Sequence, residues 1–198
     1  MLPFDAEAAA RLSAWASADS GALFAADLDL RGMDLTGADL TEAGLSDACA
    51  AGTTLCGADM YRVSWARADL TGANLSHSCL VKAELDDADV RDAVLSGADL
   101  TSASLCWANA RGTGFRGARF VGTALLGTDL RGADLTRAVS ERASLSVTLD
   151  RTTLFTGATG SLYGPVTVLD GRERSEIDGP ALQRFLAERG AHVEVLAP

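Results

Sequence analysis

The sequence predicts an all-β solenoid, a chain coiled into stacked square turns, on three observations. Leucine or another mostly apolar residue recurs at every fifth position from Leu30 to Leu135. Two residues before it the side chain is small, as in Ala38, Ala68, Ala98 and Ala133, and two residues after it glycine recurs, as in Gly32, Gly72, Gly97 and Gly132. A period of five fits no regular element. In a strand, successive fifth residues face opposite sides, and in an α-helix they advance about 140° per step and smear around the axis. Each five-residue unit must therefore change direction. If the small residue and the leucine both point inward and glycine turns the corner, four units close one square turn and stacked turns bury a ladder of leucines. Leu70, Leu75, Leu80 and Leu85 then form the core of one turn, and Trp65 holds an inward position.

Taken in order, residues 1–25 are expected to cap the first turn, because an open stack would expose strand edges. Asp5 starts a helix over 4–18 with Ala8, Leu12 and Trp15 on one face. The repeats occupy 26–160, with Ser140 and Asp150 interrupting the pattern around Leu145 and Phe155. Residues 161–198 form a C-terminal capping or dimerisation segment. There Asp178-Gly179-Pro180 starts a helix, Leu182, Phe185 and Leu186 make its apolar stripe, and Arg189-Gly190 stops it. The flanking runs Val166–Leu169 and His192–Leu196 read as short strands that could pair.

A chain of 198 residues with 47% apolar residues suits one domain with terminal additions. Its apolar stretches are short, and MLPFDAEAAAR carries neither a basic leader nor a long apolar block, so a cytoplasmic protein without membrane contact is expected. The net charge of −10 argues against direct nucleic-acid contact. The charge is uneven: residues 26–105 hold 14 acids against 5 bases, and 106–160 hold 4 against 7. Cys49, Cys56, Cys79 and Cys106 make no CxxC pair and have no histidines at zinc-ligand spacing, so no metal or cofactor is expected. His77 and His192 lie in different modules and read as surface residues, no phosphate-binding glycine loop is present, and no catalytic arrangement stands out. Cys79, between Asp59 and Asp99, should have a raised pKa.

The units Ala38–Thr41, Ala68–Gly72, Ala73–Ser76, Ala98–Thr101 and Ala133–Thr136 follow A-(D/N)-L-(S/T/R)-G, and here the sequence resembles the pentapeptide-repeat protein family over roughly 26–160. The resemblance implies a right-handed quadrilateral β-helix and members that are generally not enzymes. It also implies, among several uses of the family, DNA mimicry directed at DNA gyrase in fluoroquinolone-resistance proteins. With 26 units from Leu30 to Phe155, the rod has about 6–7 turns and a length of about 31 Å.

Positions twenty apart should stack, which places residues on faces. The first face sets Asp29, Asp69, Asp89, Asn109 and Asp129 beside Arg31, Arg91, Arg111, Arg131 and Arg151, and neutralises itself. The third sets Asp39, Asp59 and Asp99 among Thr41, Tyr61, Val81, Thr101 and Val121, so its acids lack basic neighbours on the same strand, and it is the candidate partner-binding face. Aspartate before the inward leucine also belongs to the repeat pattern itself, so solubility and structure compete as explanations. Trp107 holds a corner where glycine is usual and is either packed under a neighbouring segment, the preferred expectation, or a contact residue. Several readings follow: a DNA mimic that binds gyrase and protects against a gyrase poison, a scaffold for another protein, or an unusual enzyme on this framework. The C-terminal stripe Leu182, Phe185 and Leu186 serves either as an intramolecular cap or as a homodimer seam.

Overall fold

One unit shows how the chain is held. Leu75 N–H donates to Val94 O at 2.7 Å, Asn74 N–H to Thr53 O at 2.9 Å and His77 N–H to Ser96 O at 2.9 Å, while Ser78 N–H closes the corner on Leu75 O at 3.3 Å. Most of its backbone groups are thus spent on the turns above and below, which is why the pattern propagates. In a computed structural model, which describes residues 28–197, this arrangement recurs from Leu28 onward. Four ladders of parallel bridges link residues twenty apart, for example Asp29 to Cys49 to Asp69, Asp34 to Thr54 to Asn74, Asp39 to Asp59 to Cys79, and Gly44 to Ser64 to Glu84. The N-terminal helix expected at 4–18 lies outside the described residues.

The inward positions build the core. Leu70, Leu75, Leu80 and Leu85 have no exposed surface, and neither do Trp65 and Phe115. Phe115 meets Phe120 edge-on with ring centroids 5.2 Å apart. Where threonine replaces the small alanine, its hydroxyl reaches a backbone carbonyl of the previous turn, as Thr53 to Leu30 O and Thr113 to Val90 O, both at 2.7 Å. A buried hydroxyl so satisfied avoids a desolvation cost. Every corner from Gly32 to Arg142 takes a left-handed backbone, including twelve that are not glycine, whereas the turn at Arg151-Thr152 does not.

Among the described residues, seven strands and one helix are long enough to number: β1 (Arg119–Val121), β2 (Val139–Ser144), β3 (Thr148–Asp150), β4 (Thr159–Tyr163), β5 (Val166–Asp170), β6 (Glu173–Ile177), α1 (Gly179–Ala187) and β7 (His192–Leu196). The parallel sheet runs β1-β2-β4-β7, and a second sheet runs β3-β5-β6 with β5 and β6 antiparallel. The parallel stacking therefore continues beyond residue 160. The two runs expected to pair with each other do not: Val166–Asp170 lies on β3 and β6, and His192–Leu196 lies on β4. The interruption is a register slip. β2 is irregular between Ser140 and Ala143, and Thr148 bridges Asp129 nineteen residues back, so Val147 and Leu149 turn inward one residue early. Asp150 escapes burial, and its carboxylate accepts the N–H groups of Thr152 and Gly132.

α1 closes this end. Asp178 caps it by accepting Gly179 N–H at 2.7 Å, and Pro180 occupies the first turn. Gln183 ties it to β7 by donating to Val193 O and accepting from Val195 N–H. Leu182 and Leu186 are buried, in one hydrophobic cluster with Leu162, Val166 and Val193. Of the stripe expected to serve as a cap or a dimer seam, Leu182 and Leu186 are thus buried within the chain, and Phe185, half-buried with the Arg189 guanidinium 3.6 Å from its ring centroid, is what it leaves outside.

Candidate partner-binding surfaces

On the third face Asp39, Asp59, Cys79, Asp99 and Arg119 stack in successive turns. Each aspartate has a local structural task, accepting the N–H two residues on: Thr41 at 3.0 Å, Tyr61 at 3.1 Å and Thr101 at 3.0 Å. The second carboxylate oxygen is left for other partners. The Thr41 hydroxyl and N–H hold the Asp39 carboxyl below the usual carboxylate range. Burial, with Asp59 and Asp99 adding to it, pushes the Cys79 thiol up and blunts it as a nucleophile.

The face is not uniformly acidic, because its own ladder ends on a base and the adjoining corner supplies two more. Arg119, one turn on, approaches Asp99 at 3.7 Å. Arg62 and Lys82 lie 5.3 Å and 5.6 Å from the Tyr61 ring centroid, and Lys82 Nζ donates to the Tyr61 hydroxyl at 3.4 Å. Tyr61, Val81 and Val121 are half-buried rather than fully exposed. Asp39 and Asp59 have no ion-pair partner among the described residues.

The first face pairs within its own strands at three of its four aspartates, Asp69 accepting only the Thr71 N–H among the described residues. Arg31 grips Asp29, Arg91 grips Asp89 and Arg131 grips Asp129 at 2.5, 2.6 and 2.5 Å. The Arg31 guanidinium brings the Asp29 pKa down to about 2. Arg111 stands beside Asn109 instead, on an open polar hollow of about 400 Å³ shared with Arg91, Asp92, Arg131 and Asp150. Trp107, for which packing is the preferred expectation over contact, is 62% exposed, and Leu126, Val94 and Leu154 are the other large apolar residues exposed among the described residues. The one sequence signal for Trp107 was a bulky residue at a glycine corner; nothing in the repeat pattern marks Leu126. No helix among the described residues is long and apolar enough to cross a membrane. No metal-holding group of three or more His, Cys, Asp or Glu occurs among them.

Comparison with known proteins places this geometry. The pattern for pentapeptide repeats matches residues 26–55, 51–87, 98–137 and 115–146, in eight copies. The chain belongs to the pentapeptide repeat family. That family implies a right-handed β-helix. No curated protein matches the sequence. Among solved structures, a trypsin-treated form of QnrB1, a plasmid-mediated fluoroquinolone resistance protein, is similar at 20% identity and a TM-score of 0.65 over 70% of this chain and 72% of that one. HetL, a pentapeptide repeat protein involved in heterocyst differentiation regulation from the cyanobacterium Nostoc sp. strain PCC 7120, is 24% identical with a TM-score of 0.43 over 77% of this chain and 81% of that one. The likeness to QnrB1 is one of fold alone.

Proposed function

We propose that the chain is a non-catalytic quadrilateral rod of about 6–7 right-handed turns that binds a basic protein through its third face. The contact set is Asp39, Asp59 and Asp99 with Tyr61, Val81 and Val121. One observation carries the reading: Asp39 and Asp59 stack in adjacent turns with no ion pair among the described residues, whereas Asp29, Asp89 and Asp129 on the first face are each held by an arginine two residues on. Charge left unpaired is charge available to a partner. An aromatic ring held between cations offers apolar contact area beside it.

DNA gyrase is the specific partner this reading names, with protection against a gyrase poison as the biological use. The family resemblance and the fold likeness to a fluoroquinolone resistance protein support it, and it requires a cytoplasmic protein. The Arg119–Asp99 pair and Lys82 interrupt the acidic stripe, so a different protein partner is the second reading. A DNA-supercoiling assay with purified gyrase, with and without a gyrase poison, separates them. Wild type should inhibit or protect at micromolar concentration, and the variant Asp39→Asn, Asp59→Asn, Asp99→Asn should lose the effect while its circular dichroism stays unchanged. Inactive wild type, or a triple variant as active as wild type, removes gyrase mimicry and leaves the second reading.

A further inference from the structure

The corner joining the fourth face to the first carries Asp47, Arg67, Asp87, Trp107 and Gly127 in successive turns, all with positive φ. Trp107, at φ 62°, is the largest side chain among the twelve non-glycine corner residues. This is a backbone conformation that L residues adopt only at a cost and that glycine adopts freely. The cost brings no burial in return, since 62% of the side chain is exposed. The indole nonetheless rests on the next turn. It lies against Gly127, where an added Cβ would stand 2.1 to 2.7 Å from three ring atoms, so glycine at 127 is what allows the ring to seat there.

The surroundings define what would fit on it. The backbone N–H of Trp107 donates to the backbone O of Leu126 at 2.7 Å, and the Leu126 side chain is 47% exposed. One turn toward the N-terminus lie Glu84, Asp86 and Asp87, none with an ion-pair partner among the described residues. Glu84 accepts from the Ser64 hydroxyl, and Asp86 from the Ser104 hydroxyl and Cys106 N–H. Arg67, the cation of this corner, is held by Asp47 at 2.5 Å. A strained, seated and exposed indole beside an exposed leucine and three acids suits contact better than core or solubility.

We propose that this corner is a second protein-contact site, separate from the third face, which takes a peptide segment bearing one apolar side chain flanked by lysine or arginine. The apolar side chain covers Trp107 and Leu126, and the cations meet Glu84, Asp86 and Asp87. An arginine there can also stack on the indole face. The site does not depend on the gyrase reading, because none of its residues lies on the third face.

The probe is a phage-displayed library of random dodecapeptides selected on the full chain, followed by affinity measurement on the synthesised winners. The winners should carry lysine or arginine beside an aromatic or aliphatic residue. Trp107→Gly should weaken them at least about tenfold, as loss of an interface aromatic anchor does, and Leu126→Ser should weaken them in the same direction. Asp86→Asn with Asp87→Asn should weaken them about threefold or more at low salt, with the difference shrinking at high salt. Because glycine relaxes the corner, Trp107→Gly should keep or raise the thermal midpoint. Winners without basic residues, a library yielding nothing sensitive to Trp107→Gly, or a lowered midpoint for that variant would each overturn the proposal.

Discussion

Replacing Leu75 tests the stacked core directly. Leu75 has no exposed surface, and its neighbours in the stack, Leu55 and Leu95, have none either. Truncation to alanine removes three carbons, worth about 2.4 kcal/mol in transfer free energy at about 0.8 each. The space left cannot collapse readily, because the backbones on both sides are pinned by Leu55 N–H to Asn74 O and Leu75 N–H to Val94 O, both at 2.7 Å. A cavity contribution therefore adds to the transfer loss, and the whole comes to about 3–5 kcal/mol. That is a large share of the roughly 5–15 kcal/mol that holds a typical domain together. Leu75→Asp places a carboxylate among leucines and alanines with no cation to pair it, and should leave the protein unfolded or insoluble. Urea unfolding followed by circular dichroism measures both variants against wild type. A soluble, cooperatively unfolding Leu75→Asp, or a cost below about 1 kcal/mol for Leu75→Ala, would refute the inward placement and the rigidity argument.

Two further outcomes are expected. The carboxyls of Asp29 and Asp89, held low by Arg31 and Arg91, and of Asp34 and Asp39, held low by Thr36 and Thr41, bind protons more weakly in the folded chain than in the unfolded one. Their contribution to stability is complete above about pH 4 and is lost as pH falls toward the folded values, about 2 for Asp29. The urea midpoint should decline between those limits; a constant midpoint down to about pH 2.5 would contradict this. Deleting residues 164–198 strips β5 from β3 and β7 from β4 and removes Leu182 and Leu186 from the end of the core. Aggregation seen by light scattering is expected, whereas a soluble monomer with undiminished β signal would show that the segment is not a cap.

The sequence alone determined the repeating part because each unit is specified locally. Five residues carry the inward pair, the corner and the outward positions, so the ladder through Leu70, Leu75, Leu80 and Leu85 and the Asp–Arg pairs of the first face can be read within a few residues of one another. The same holds for α1, whose Asp178 cap and Pro180 are adjacent in the chain. What only the tertiary structure decided depends on residues brought together from distant positions. Arg119 meets Asp99 across a turn, the slip that brings Leu149 rather than Asp150 inward depends on stacking against the preceding turn, and β7 finds β4 across more than thirty residues. Trp107 stands exposed because the residue under it, twenty positions on, is glycine. A pattern of five fixes which way each side chain points, but charge pairing, edge closure and exposure are set by the neighbouring turn.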